Sequence, residues 1–209
     1  MGPFNMTMNR SRLRQSSALL VLAMALAAAV RAGDVAGTET RITRRSEAVY
    51  SVPAVSVVRD DGKRVSLAAE LDDGRPVALN FIYTSCTTIC PLSSQIFAQF
   101  QDRLGEKRAN VHLVSISIDP EQDTPARLRD YGRQFGAKPG WDHYTGAFNV
   151  ISDVQRAFHA YRGDKMSHTP LTFLREAPGK PWVRIDGFAT VDELLAESRG
   201  WAVPALVSR

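Results

Sequence analysis

The sequence predicts an α/β fold: a central sheet with helices on both faces and a hairpin added at the N-terminal end of the folded part. Three observations lead there. Residues 77–84 (VALNFIYT) and 111–118 are apolar runs of strand length, as expected of strands buried on both faces. Each is followed by a segment whose apolar residues recur at helical spacing. The chain then closes with a strand–turn–strand pattern and one more helix, an alternation that folds as a layered sheet.

Taken in order, residues 33–49 are polar and charged with no periodicity and read as a flexible linker. Residues 55–58 and 64–67 flank Asp60-Asp61-Gly62, a hairpin signal. After the first apolar strand a helix is expected from Pro91 to about Leu104. Proline is favoured at the first helical position, and Leu92, Ile96, Phe100 and Leu104 recur every four residues. Asp123-Thr124-Pro125 opens the next helix, with Thr124 or Asp123 as its cap and Leu128, Tyr131 and Phe135 facing inward. A further helix covers residues 149–161 through Val150, Val154, Phe158 and Tyr161. Residues 171–174 and 182–188 bracket a turn at 177–181 as a second hairpin, and residues 190–199 form the last helix. One folded domain, 50–201, is expected, with 202–209 as a tail; there is no internal repeat.

The net charge of +4 invites a nucleic-acid reading, which the distribution of charge removes. Arg10, Arg12, Arg14 and Arg31 lie in residues 1–32, which hold no acidic residue; the rest carries twenty-two basic and twenty-two acidic side chains. No Lys/Arg run remains to neutralise a series of phosphates. Residues 1–32 read instead as an export signal. The three early arginines form a positive region, residues 18–30 an apolar stretch short of a bilayer span, and Val30-Arg31-Ala32 a cleavage site. The rival reading is a retained N-terminal membrane anchor. Both place the domain outside the cytoplasm, in the periplasm, where thiols meet oxidants and metals.

The chain has only two cysteines, and Cys86-Thr87-Thr88-Ile89-Cys90-Pro91 sits between a buried strand and a helix start. Reactive groups of α/β folds are exposed there, and the helix N-terminus lowers thiol pKa values. A structural disulfide is the plain alternative, but so short a loop removes only about 2 kcal/mol of closure entropy, against ~4.7 for a 100-residue loop. Two thiolates suit either a soft metal such as Cu(I) or reversible disulfide exchange. The spacing has three intervening residues, not the two of a redox C-x-x-C. In a helical turn it places the Cβ atoms about 5–6 Å apart on one face, compatible with clamping one ion and, with a small adjustment, with forming a disulfide.

A third ligand would come from the four histidines. His112 alternates with Val114 and Ile116 and reads as a packed sheet histidine. His143, in a loop, and His159, on a helix off its apolar face, read as solvated. His168 lies in a turn-rich loop, residues 163–170, just before a strand, and is the candidate ligand. Met166 reads as gap-filling, with a thioether ligand as the alternative.

Residues 84–91 (TSCTTICP), residues 117–125 (SIDPEQDTP) and His168 before a strand together resemble the Sco/SenC family, over residues 52 to 199. The resemblance implies a thioredoxin-like fold and a copper site, Cu(I) or Cu(II), made by Cys86, Cys90 and His168. It implies a role in assembling the copper centre of cytochrome c oxidase by delivering copper to the copper-bearing subunit. Another periplasmic copper carrier is then a further partner. The alternative is a thiol–disulfide oxidoreductase that uses Cys86 and Cys90 as a redox pair to keep the oxidase subunit's cysteines reduced. A thiol peroxidase is a weaker third, since the P-x-x-x-T-x-x-C pattern is absent at both cysteines. Many members carry Asp before the histidine where this chain has Ser167, which shifts any imidazole-orienting carboxylate elsewhere, with Asp164 as the candidate. Thr169-Pro170 stands where thioredoxin-like folds commonly carry a cis-proline, and His168 is expected near the cysteines with either isomer.

Overall fold

Two strands buried along their whole length, β4 (Val77–Ile82) and β5 (His112–Ser117), form the parallel centre of the sheet. The computed structural model describes residues 43–201, and Gly2; the leader and the tail expected at residues 202–209 lie outside the described residues. The remaining strands are β1 (Arg44–Ala48), β2 (Ser56–Arg59), β3 (Arg64–Ser66), β6 (Trp141–Thr145), β7 (Leu171–Arg175) and β8 (Trp182–Asp186). They make one eight-stranded sheet in the order β1-β8-β7-β4-β5-β6-β2-β3. β6 is parallel to β5, whereas β7 runs antiparallel to β4 with Asn80 opposite Thr172. The helices are α1 (Leu67–Leu71), α2 (Ile89–Leu104), α3 (Pro125–Gln134), α4 (Phe148–Ala157) and α5 (Val191–Ser198).

Alternation along the strands divides the core in two. Leu79, Phe81, Val114 and Ile116 pack with Ile151, Val154 and Phe158 from α4 and its end. Ala78 and Leu113 pack with Phe97, Phe100 and Leu104 of α2 and Leu194 of α5. Helices therefore cover both faces, as the sequence predicts, and both expected hairpins form.

Several expectations are corrected. Residues 44–48, read as part of a linker, form β1. Their side chains are mostly exposed, so no periodicity marks them; backbone pairing to β8, from Arg44–Asp186 to Ala48–Trp182, makes the strand. α2 begins at Ile89, which places Cys90 inside the helix. Its buried positions are Cys90, Ser94, Phe97, Phe100, Gln101 and Leu104, leaving Leu92 exposed. α4 stops at Ala157, and β6 and α1 have no counterpart in the sequence reading. Thr124 caps α3 by accepting from the Arg127 N–H, which frees Asp123 for another role. Among the described residues no peptide bond is cis, Thr169–Pro170 included. None of the helices among the described residues is long and apolar enough to cross a membrane.

Candidate metal centre

β4 delivers the chain to Tyr83 and Thr84 and then turns at once, the Cys86 N–H donating to the Tyr83 carbonyl at 3.2 Å. The turn is pinned by Asp123. Its carboxylate accepts from the Thr84 N–H at 3.0 Å, the Thr84 hydroxyl at 2.5 Å and the Ser117 hydroxyl at 2.6 Å. One fully buried carboxylate thus ties the loop after β4 to the end of β5.

The helix that follows lacks an ordinary cap, since the Thr88 side chain accepts no N–H. Instead the Cys90 N–H donates to Cys86 Sγ at 3.4 Å, so a sulfur fills the capping role. Cys90 Sγ in turn accepts from the Tyr83 N–H at 3.4 Å. Both cysteines are free thiols and buried. Burial works against ionising Cys86, but the N–H groups of Cys90 and Thr88, with the Cys90 and Tyr83 side chains, outweigh it and bring the thiol down to about 7. Burial dominates at Cys90 and pushes that thiol far up. Tyr83, desolvated and hydrogen-bonded to Cys86, is pushed up to about 12.

His168 approaches from the neighbouring strand. Asp164 accepts the Met166 N–H at 2.9 Å and so caps a short 3-10 turn over Lys165–Ser167, which ends at His168 just before β7. The turn is moored by Lys165 Nζ, 2.6 Å from the Asp119 carboxylate. Asp164 thus serves the turn's backbone and not the imidazole it was expected to orient. The His168 ring is 7% exposed and meets the Tyr83 ring edge-on at 6.3 Å. Burial lowers its pKa, against a hydrogen bond to the Phe81 backbone, and keeps the ring neutral and able to ligate. Met166 is 73% exposed, not gap-filling, and its sulfur accepts from the Tyr83 hydroxyl at 3.7 Å.

The two sulfurs and His168 therefore converge on Tyr83, but the three ligand atoms are not drawn into one tight cluster. Among the described residues, the set of three whose ligand atoms all lie within 4.8 Å of one another is Glu70, His112 and Asp142. That set is a hydrogen-bonded network at the other end of β5. His112 Nε2 lies 3.0 Å from Asp142, its Nδ1 3.2 Å from the Glu70 carbonyl, and Arg59 and the Tyr144 hydroxyl hold the Glu70 carboxylate. His112 is thus a sheet histidine, as expected. His143 is not solvated: it is 1% exposed in β6, stacked on Trp141 at 5.3 Å and 3.3 Å from Asp60. His159 is exposed, but lies beyond the end of α4 with a left-handed φ of 52°.

Two thiols and a neutral imidazole are a soft donor set that fits a thiophilic ion. The comparisons agree in kind. A family model described as SCO1/SenC matches residues 45–202. The SCO1 protein homolog of Bacillus subtilis is 34% identical over 98 residues, 46% of this chain and 50% of that protein. The chain spans about half the length of the first two curated relatives it matches. The structure of Arabidopsis thaliana ScoI with copper bound superposes with a TM-score of 0.59 at 28% identity, over 72% of this chain and 95% of that one. Bradyrhizobium japonicum ScoI with copper bound gives a TM-score of 0.62 at 25% identity, over 74% of this chain and all of the other.

Proposed function

This chain belongs to the SCO1/SenC family, and we propose that it is a copper metallochaperone. In this reading it takes up copper through Cys86, Cys90 and His168 and delivers it to the copper-bearing subunit of cytochrome c oxidase. The fold is thioredoxin-like, as in the family's solved structures. The observation that carries the reading is the thiol pair itself, one sulfur capping the turn that holds the other, with a neutral buried histidine in the turn that leads into the adjacent strand. Cys86 is partly thiolate near neutral pH, so an arriving Cu(I) meets a ready anionic sulfur; Cys90 then releases its proton and the imidazole completes the set. In this reading the leader acts as an export signal and the domain works in the periplasm, released or held at the inner membrane by its N-terminus, with another periplasmic copper carrier as donor.

The difference between the two thiols favours one alternative, a thiol–disulfide oxidoreductase. A low-pKa Cys86 would attack and a buried Cys90 would resolve. Copper stoichiometry of the reduced domain separates the readings. The chaperone binds one copper per chain and loses it in Cys86→Ser and Cys90→Ser, with weakened binding in His168→Ala. A domain that retains no copper but reduces a disulfide substrate would establish the oxidoreductase instead.

A further inference from the structure

His112 is fully buried at the start of β5, and both of its ring nitrogens face acceptors. Nδ1 lies 3.2 Å from the Glu70 carbonyl and 3.7 Å from the Asp73 carboxylate. Nε2 lies 3.0 Å from an Asp142 carboxylate oxygen. The Tyr144 hydroxyl is 3.3 Å from Nε2, but its one proton goes to the Glu70 carboxylate, which is closer at 2.7 Å. A neutral imidazole has one N–H and one lone pair. With the proton on Nδ1 and held by the Glu70 carbonyl, the Nε2 lone pair points at a carboxylate with nothing positive between them. Two acceptors buried face to face are unfavourable, so a cation belongs between them. The surrounding charges agree. Arg75 is bound to Asp73, and Arg59 is divided between Asp61 and Glu70, so neither guanidinium pairs with Asp142, which has the ring as its ion-pair partner among the described residues.

We propose that Glu70, His112 and Asp142 form a second metal site, for a divalent cation of the zinc class, separate from the thiol pair. One ligand atom from each lies within 4.8 Å of the others, and the three come from α1, β5 and β6. Ligands of a tetrahedral zinc stand about 3.3 Å apart, so the 3.0 Å between Nε2 and Asp142 needs little change. Ligating histidines commonly give their other N–H to a backbone carbonyl, which fixes tautomer and ring orientation; the Glu70 carbonyl fills that place. Glu70 binds Arg59 and Tyr144 through Oε2 alone, which leaves Oε1 for the ion. One imidazole and two carboxylates suit Zn(II), whereas Cu(I) prefers sulfur. The Glu70 and Asp142 side chains are 20% and 29% exposed, so an ion enters from solvent while buried His112 closes the inner side. Binding makes coordinate bonds only: Zn(II) gives up water ligands, and no electron is transferred.

The test is calorimetric titration of the full chain with Zn(II), with Cys86→Ser and Cys90→Ser combined so that sulfur cannot contribute. One Zn(II) per chain is expected, and zinc-edge X-ray absorption should show only nitrogen and oxygen neighbours. His112→Gln in that chain should weaken binding by at least about a hundredfold, more than losing a ligand's supporting partner costs. Because His112 is buried and its variant can misfold, Asp142→Asn is made in the otherwise unmutated chain. It should lower the Zn(II) count by one and leave Cu(I) uptake unchanged. A Zn(II) count that Asp142→Asn does not change would overturn the proposal, as would a folded cysteine-free chain that binds no Zn(II); the ring would then carry its second proton. Either result leaves the copper reading of the thiol pair standing.

Discussion

The backbone N–H of Cys90 points at the Sγ of Cys86, 3.4 Å away, so the sulfur of one cysteine caps the helix that carries the other. The contact makes the thiols unequal. Cys86 should be alkylated by iodoacetamide with a midpoint near pH 7 while Cys90 stays unmodified in the folded protein. Peptide mapping across pH reads both at once, and equal labelling rates would refute the inequality. The signs for stability are opposed. The folded Cys86 ionises below its ordinary value of 9.0, so its contribution is present above that value and lost as pH falls through about 7. Cys90, shifted upward, contributes below its ordinary value and loses that contribution in strong alkali.

Replacing His168 with alanine should separate the two proposed functions. Disulfide exchange needs no imidazole, whereas a metal relay does. The variant is expected to keep nearly all of its disulfide-reducing capacity while oxidase copper in cells is lost. Normal oxidase copper content in cells carrying only this variant would promote the oxidoreductase.

Acid should expose the burial of the same histidine. Its pKa is lowered from 6.5 by burial, so below that value the unfolded chain takes up a proton that the folded one refuses, and stability falls with pH. Against a His168→Gln control, the wild-type apo-protein should lose more stability on going from about pH 7 to about pH 5.5. Parallel urea titrations at the two pH values measure this; identical losses would show that the ring is not desolvated.

Asp123→Ala strips the partner from the Thr84 N–H, the Thr84 hydroxyl and the Ser117 hydroxyl, all held by one buried carboxylate. With these donors left unsatisfied, a loss of about 3 kcal/mol is expected, seen as a melting temperature lower by about 10 °C. Because Thr84 leads directly into the cysteine turn, Cu(I) affinity should fall with it. A variant that melts like wild type would mean that Asp123 holds nothing.

At Gly132 two effects compete. Alanine in a helix interior gains about 1 kcal/mol over glycine. Its Cβ, however, would sit 2.8 Å from the Cε1 of His143, whose ring is stacked on Trp141 and has no room to yield. Overpacking costs about 1–3 kcal/mol, so Gly132→Ala should be net destabilising. Combining it with His143→Ala should reverse the sign of its effect, a coupling that a double-mutant cycle in urea reads directly.

What was legible in the sequence follows from burial. β4 and β5 are covered on both faces, and continuous apolar runs announce such strands. The capping box at Thr190, whose hydroxyl accepts the Glu193 N–H while Glu193 accepts the Thr190 N–H, likewise marks α5 from local residues alone. β1 and β6 were hidden for opposite reasons. β1 turns charged side chains to solvent and exists by backbone pairing alone. β6 carries Asp142 and His143, whose polarity suggested a loop until Trp141, Tyr131 and Asp60 are seen to enclose the histidine. The cysteine pair was legible because spacing and a following proline are local. Its convergence with Met166 on Tyr83 was not, for it depends on how β7 lies against β4, which no local pattern encodes.

The pairing of β1 with β8 bears on how the folded domain avoids sticking to its own copies. Among the described residues β1 is the last strand of its side of the sheet, and Arg44, Arg45 and Glu47 along it discourage a further chain from adding on. Proteolytic trimming to Tyr50 would remove that guard and bare the β8 backbone beside Trp182, Val183 and Ile185, a template for self-association. A cut after Ala32 would leave the guard in place. The short charged segment ahead of Tyr50 thereby acts as a solubility device, and its loss would register as aggregation before any change at the thiols.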